Sequence, residues 1–212
     1  MTKQIVSLFL FIASSTLAQN VIKNPDKITP EILQEINLLE LGPKTRIFDP
    51  SEIYTIKAFV KKGGSLLAII DEERRSQLLP DGINSILSEF GIEFTKDTEY
   101  LHNCGALAVS GVINAADREV AYSGGREVNG GTPFAWRLSA KGELAEPYAA
   151  YWEAEKGGRV IALAEGMANL GLGTLQGERL SGVPRNPKKT TYWGKDSTVF
   201  MQEIRNWLTE KK

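Results

Sequence analysis

Apolar positions fall first into a helical rhythm and later into a strand rhythm. Thr29-Pro30-Glu31 is a helix start, with Thr suited to the N-cap, Pro to the first turn and an acid to the positive helix end. Ile32, Ile36 and Leu39 then recur at helical spacing. Asp49-Pro50-Ser51-Glu52 is a second start, an acidic variant of the capping box. Ile53, Ile56 and Val60 follow on one face, and Gly63-Gly64 ends that helix. The continuous apolar run SLLAIID, Ser65 to Asp71, predicts a strand buried on both faces of a parallel sheet and closed by a carboxylate. Ile83, Ile86, Leu87 and Phe90 predict another helix, stopped by Gly91, with a short strand at Ile92-Glu93-Phe94. The first half reads helix, strand, helix, strand.

The middle changes period. Segments 106–113, 118–123, 133–138 and 147–153 are short, β-leaning and separated by turn residues. Glu155-Lys156-Gly157-Gly158 predicts a hairpin joining 148–153 to 159–165. The apolar run Val160 to Ala164 predicts a last strand, ending at Glu165. Asp196-Ser197 predicts the cap of a final helix with Phe200, Ile204, Trp207 and Leu208 on one face. The stretch 176–195 is irregular and carries Arg179, Arg185, Lys188, Lys189 and Lys195 against Glu178 alone, with Tyr192 and Trp193. Loops of that length are commonly functional or disordered, and aromatic residues argue against a bare linker.

Residues 1–18 have the layout of a secretory signal peptide: Lys3, an apolar run from Ile5 to Ile12, then small residues up to Ala18. That run is too short to span a bilayer, which needs about 20 apolar residues. The expectation is an exported chain, periplasmic or extracellular, with no membrane span. Removing 18 of the 212 residues leaves 194, which suits a single domain over 19–212. One lysine leaves with the leader, so 24 basic residues face 26 acidic ones, a net −2 that favours no nucleic acid. Cys104 is the only cysteine, so no internal disulfide is available and stability rests on packing.

The stretch SEIYTIKAFVKKGGSLLAIID, Ser51 to Asp71, followed by Ile83-Asn84-Ser85-Ile86-Leu87 and Phe90-Gly91-Ile92, resembles the class I glutamine-amidotransferase-like superfamily. Within it, the closer similarity is to GIFT-type domains, found in gliding-motility and intraflagellar-transport proteins and in secreted bacterial proteins of unknown function. The resemblance covers 29–95 and 158–208. It implies a flavodoxin-like three-layer α/β sandwich with a mainly parallel central sheet and a β-rich insertion at about 100–155. The family's opening strand and helix are shortened or missing. Amidotransferase chemistry needs a thiolate on a sharp strand-to-helix turn and a later His oriented by an acid. The only His, His102, precedes Cys104, and Gly105 leads into Ala-Leu-Ala-Val-Ser rather than a helix. The triad is therefore not present, and the resemblance implies the fold without that activity. One His and one Cys are too few for zinc, so neither metal nor cofactor is expected.

The stretch YSGGREVNGGTPFA, Tyr122 to Ala135, holds two glycine pairs around Arg126. A phosphate loop would sit between a strand and a helix, whereas β-leaning residues lie on both sides here. Asn129-Gly130 reads as a tight hairpin turn and Gly124-Gly125 as a bend. Arg126 suits a carboxylate, either in a ligand or in a local acid such as Glu127 or Glu165. Asp71 and Glu165 both close apolar strands, and ligands of open α/β sheets bind beyond such ends. The leading expectation is an exported, non-catalytic domain binding a small molecule, carbohydrate among the candidates, or a protein at Asp71, Arg126, Glu165, Arg185, Tyr192 and Trp193. The alternatives are a hydrolase using the two carboxylates on carbohydrate or peptide, and a cysteine enzyme pairing Cys104 with His102.

Overall fold

Leu66, Leu67, Ala68 and Ile69 are all essentially buried. The reason is position: their strand lies between two parallel neighbours, so both faces meet the interior. The computed structural model describes residues 20–43, 46–73, 79–95, 97, 105–122, 126–139, 141–155, 157–164, 166, 168–170 and 194–210. The strands among them are β1 Val21–Lys23, β2 Leu38–Leu41, β3 Ser65–Ile69, β4 Ile92–Phe94, β5 Ala106–Ala108, β6 Arg118–Val120, β7 Val128–Gly130, β8 Thr132–Leu138, β9 Leu144–Glu153 and β10 Arg159–Leu163. The helices are α1 Pro30–Gln34, α2 Pro50–Lys61, α3 Asp81–Leu87 and α4 Ser197–Thr209.

One eight-stranded sheet runs in the order β1-β2-β3-β10-β9-β8-β5-β6, and β4 pairs with β7 in a separate ribbon. β1, β2, β3 and β10 are parallel, with Ser65 opposite Arg159 and Ile69 opposite Leu163. β10 to β9, β9 to β8, β8 to β5 and β5 to β6 are antiparallel. The expected mainly parallel sheet is thus corrected to a mixed one, parallel in one half and antiparallel in the other. The β-rich segment at about 100–155 is no appendage. Its strands β5, β6, β8 and β9 extend the same sheet, because short hairpin connections can pair only antiparallel strands.

Alternation along the strands sends side chains to two faces. On one face, Ser65 Oγ donates to Leu208 O at 2.5 Å, and Arg159 Nη1 donates to the carbonyls of Trp207 and Glu210. Glu40 on β2 meets Arg205 at 2.7 Å on the same side. These contacts seat α4, whose Phe200, Ile204 and Leu208 are buried, each worth roughly 1.5–3 kcal/mol against exposure. On the other face, Trp152 of β9 packs against Phe90 after α3, ring centroids 4.9 Å apart. There Gly158 passes so close to α2 that an added Cβ would lie 2.1 Å from Val60 O.

Several local readings hold and others shift. Both arms of the capping box at Asp49 and Glu52 are present, and α2 buries Ile56 and Val60. Gly91, at φ +65°, stops the 3₁₀ turn after α3. The hairpin at 154–158 joins β9 to β10 with Glu153 opposite Arg159. The helix that begins at Thr29 ends within five residues, and Leu39 belongs to β2 instead. A strand offered two parallel neighbours buries all four of its residues, which a lone short helix cannot match. The opening strand is present as the three-residue β1. Asn129-Gly130 is no two-residue hairpin but part of β7, with Gly130 opposite Ile92. Asp196 does not cap α4 with its side chain; its Oδ2 accepts from Glu119 N at 2.9 Å and closes the β6 edge. The leader at 1–18, His102, Cys104 and Gly124-Gly125 lie outside the described residues.

Candidate functional site at the strand ends

Because β1, β2, β3 and β10 run parallel, their carboxyl ends share one edge of the sheet. Four chain exits meet there. Asn24 leaves β1 at φ +44°, a conformation Asn tolerates better than most residues. Its side chain pairs with the exit of β2 in both directions, Oδ1 accepting from Gly42 N and Nδ2 donating to Gly42 O, each at 2.7 Å. β3 leads to Asp71, and β10 leads past Ala164 to Gly166. A Cβ placed on Gly166 would stand 3.3 Å from Asp71 Oδ2 and 2.9 Å from Pro43 Cβ, so the exits of β2, β3 and β10 touch.

Asp71 is buried, and its Oδ1 accepts from Glu72 N at 2.8 Å. Arg126, just before β7, reaches it from 55 positions away. Its Nε donates to Asp71 O at 3.0 Å, Nη1 donates to Thr95 O at 3.1 Å, and Nη2 lies 3.4 Å from Asp97 Oδ1. The guanidinium is wholly buried. Asp97 turns its other oxygen to Glu73 N at 2.7 Å. A planar fork thus ties the exit of β3 to the β4–β7 ribbon. The ribbon extends by one rung, Thr95 N donating to Glu127 O and Glu127 N to Thr95 Oγ1. Among the described residues, Asp97 supplies an acid at Arg126; Glu165 lies outside them.

A cleft of about 210 Å³ opens beside the exits of β1 and β2, lined by Asn24, Asp26, Leu41, Gly42, Arg46 and Phe48. Arg46 stacks over Phe48 at 4.6 Å and grips Glu52 with Nη1 at 2.7 Å and Nη2 at 2.6 Å. The hydrogen bonds from Arg46 bring the buried Glu52 carboxyl down to about 2, against burial, with further help from Ile28 N and Asp49 N. Asn24, Arg46 and the wider reach of Glu52 went unread in the sequence. The signal for Glu52 was only its place in the capping box, and nothing local pairs Asn24 with Gly42.

Of the six residues expected at the site, Asp71 and Arg126 come together, while Glu165, Arg185, Tyr192 and Trp193 lie outside the described residues. Among the described residues, no cluster of three or more His, Cys, Asp or Glu could hold a metal ion. No helix among them is long and apolar enough to cross a membrane.

Residues 14–148 match the family described as the IFT52 GIFT domain. No curated protein matches the sequence. Among solved structures, the mmIFT52 N-terminal domain superposes with a TM-score of 0.55 at 18% identity, covering 87% of this chain and 82% of that one, a likeness that speaks for the fold alone. The GIFT resemblance is thereby established. The expectation of a periplasmic or extracellular protein is overturned: the match is to a family named for an intraflagellar-transport protein, which belongs to cilia. That match also begins at residue 14, inside the stretch read as a leader, and runs across the expected cleavage point.

Proposed function

The chain belongs to the IFT52 GIFT domain family, and from that premise we propose that it is a non-catalytic binding domain of an intraflagellar-transport protein. Its frame is flavodoxin-like and related to the glutamine amidotransferases, with helices on either side of one sheet, and residues 19–212 act as one domain. A ligand or partner sits at the carboxyl ends of β3 and β10. Asp71 meets it there with Glu165, and Arg185, Tyr192 and Trp193 complete the contact, while Arg126 positions the ledge from behind.

One observation supports this reading above the others. The wholly buried guanidinium of Arg126 bonds the carbonyls of Asp71 and Thr95, so the strand end is fixed as a ledge by a charge withdrawn from solvent. A site that transferred protons would gain little from such an arrangement, since the cation serves backbone acceptors. A preorganised ledge suits recognition, where rigidity lowers the cost of binding.

A thermal-shift screen of the full chain against sugars, peptides and nucleotides tests the binding role, because a ligand that binds the folded state raises its melting temperature. The expected result is a specific shift that Asp71→Asn removes. Turnover of glutamine, chromogenic glycosides or peptides that Asp71→Asn abolishes would defeat the non-catalytic reading. In ciliated cells, a tagged chain is expected to concentrate at the base and along the cilium, and a diffuse signal would remove the transport role.

A further inference from the structure

The edge of the sheet opposite the strand ends carries a second recess. A groove of about 460 Å³ lies between α1 and α2, where the chain enters β2 and β3. Its size is that of pockets holding a drug-sized ligand, about 300–1,000 Å³. Leu33, Ile36, Ala58 and Phe59 give it an apolar floor. Phe59 lies flat on the turn because residue 64 is Gly, where a Cβ would come 2.4 Å from its ring. Tyr54 stands on the rim 75% exposed, a large aromatic left in water on the outer side of α2.

Charge around the groove is one-sided. Among the described residues that line it, Lys62 is the one that is charged, and it is exposed at the C-cap of α2. The acids of α1 do not oppose it: Pro30, Gln34 and Asn37 line the groove, while Glu31 and Glu35 are absent from the lining. Lys57 and Lys61 are engaged elsewhere, both paired to Glu89 after α3.

We propose that this groove docks an amphipathic, acidic helix of a partner protein, its apolar side chains on the floor and a carboxylate against Lys62. Two parallel-lying helices with an apolar trough between them take anchors at i, i+3 or i+4 and i+7. A short groove with one charge complement gives a weak, exchangeable contact whose direction is set by charge. The site is separate from the strand ends, so the domain would hold two partners at opposite edges of its sheet.

The test uses the full chain and two fluorescent helical peptides of about four turns. Both carry Leu at i, i+4 and i+7; one has Glu on the flank and the other Lys. The Glu peptide is expected to bind wild type in the micromolar range, and roughly five-fold more tightly than the Lys peptide. Lys62→Glu is expected to reverse that preference, and Ala58→Trp to abolish both interactions by filling the trough. Lys62 is exposed, so its variant reads the charge contact even if Ala58→Trp does not fold. Absence of saturable binding by folded wild type overturns the proposal. So does a preference that Lys62→Glu leaves unchanged, or binding that a folded Ala58→Trp retains.

Discussion

The guanidinium of Arg126 donates to the main-chain carbonyl of Asp71 at 3.0 Å, and no part of Arg126 is exposed. A charge taken out of water is tolerable only with its donors used and an acid at hand. Thr95 O and Asp97 belong to that set. Arg126→Ala removes the cation and leaves buried carbonyls without donors. We expect a loss of about 3 kcal/mol in urea unfolding. Arg126→Lys should recover little of it, since one ammonium cannot span three acceptors in a plane. A loss under about 0.5 kcal/mol for the Ala variant, the scale of an ordinary surface change, would show that the tie is dispensable.

Glu52 makes stability depend on pH. Its carboxyl lies at about 2 in the folded chain against an ordinary value of 4.5, chiefly because Arg46 donates to it. The folded pKa is depressed, so the unfolded chain takes up the proton first as pH falls. The stabilisation is complete above pH 4.5 and disappears as pH falls from there through about 2. Allowing for solvent at the partly exposed Arg46, it amounts to about 2 kcal/mol. Unfolding measured from pH 7 to pH 2 should show Glu52→Gln well below wild type at neutrality and nearly level with it at the acid end. A constant gap across that range would assign the loss to shape rather than charge.

Gly130 and Gly91 face each other across the β4–β7 ribbon and separate two costs. Both have positive φ, +75° and +65°. A Cβ on Gly130 would lie 1.9 Å from Gly91 O, whereas one on Gly91 meets nothing within 4 Å. Gly91→Ala therefore pays only for the backbone conformation, about 1 kcal/mol. Gly130→Ala adds a collision with main chain and should cost about 2–4 kcal/mol. Thermal melts of the two variants give the comparison. Equal losses would mean that the strands separate without penalty.

Local chemistry made some elements readable and left others hidden. α2 is legible because Asp49 and Glu52 form a reciprocal cap and Ile56 and Val60 repeat toward one face. β3 is legible because burial on both sides demands an unbroken apolar run. β2 was hidden by coincidence, since Leu39 stands at helical spacing from Ile32 and Ile36. The mixed sheet was hidden because direction depends on which strands meet, and β10 meets β3 across 94 positions, from Ser65 to Arg159. The strand-end contacts are equally non-local: Arg126 finds Thr95 31 residues away and Asp71 55 away. Periodicity reports on neighbours three or four positions apart and is silent at such separations. Asp71 could be placed at a sheet edge by the rule for parallel strands, but the group that holds it could not.

Arg159 fastens the end of α4 to the sheet, and its loss should be felt locally before it is felt globally. The last carbonyls of a helix have no partners within it. Here Arg159 supplies donors to Trp207 O and Glu210 O, its Nε meets Glu153 at 2.7 Å, and its plane covers the Trp207 ring at 4.7 Å. Ser65 Oγ donates to the neighbouring Leu208 O. Arg159→Met keeps the length of the stem and removes every donor. The apolar face of α4 still holds Phe200 and Ile204, so the helix as a whole should stay seated. Hydrogen exchange should therefore show the amides of 206–209 opening at least ten-fold more readily, about 1.4 kcal/mol, while those of β3 and β10 change much less. A uniform rise across sheet and helix would instead mean that Arg159 supports the whole fold, and no change at 206–209 would mean that burial of Trp207 and Leu208 is sufficient to hold the helix end.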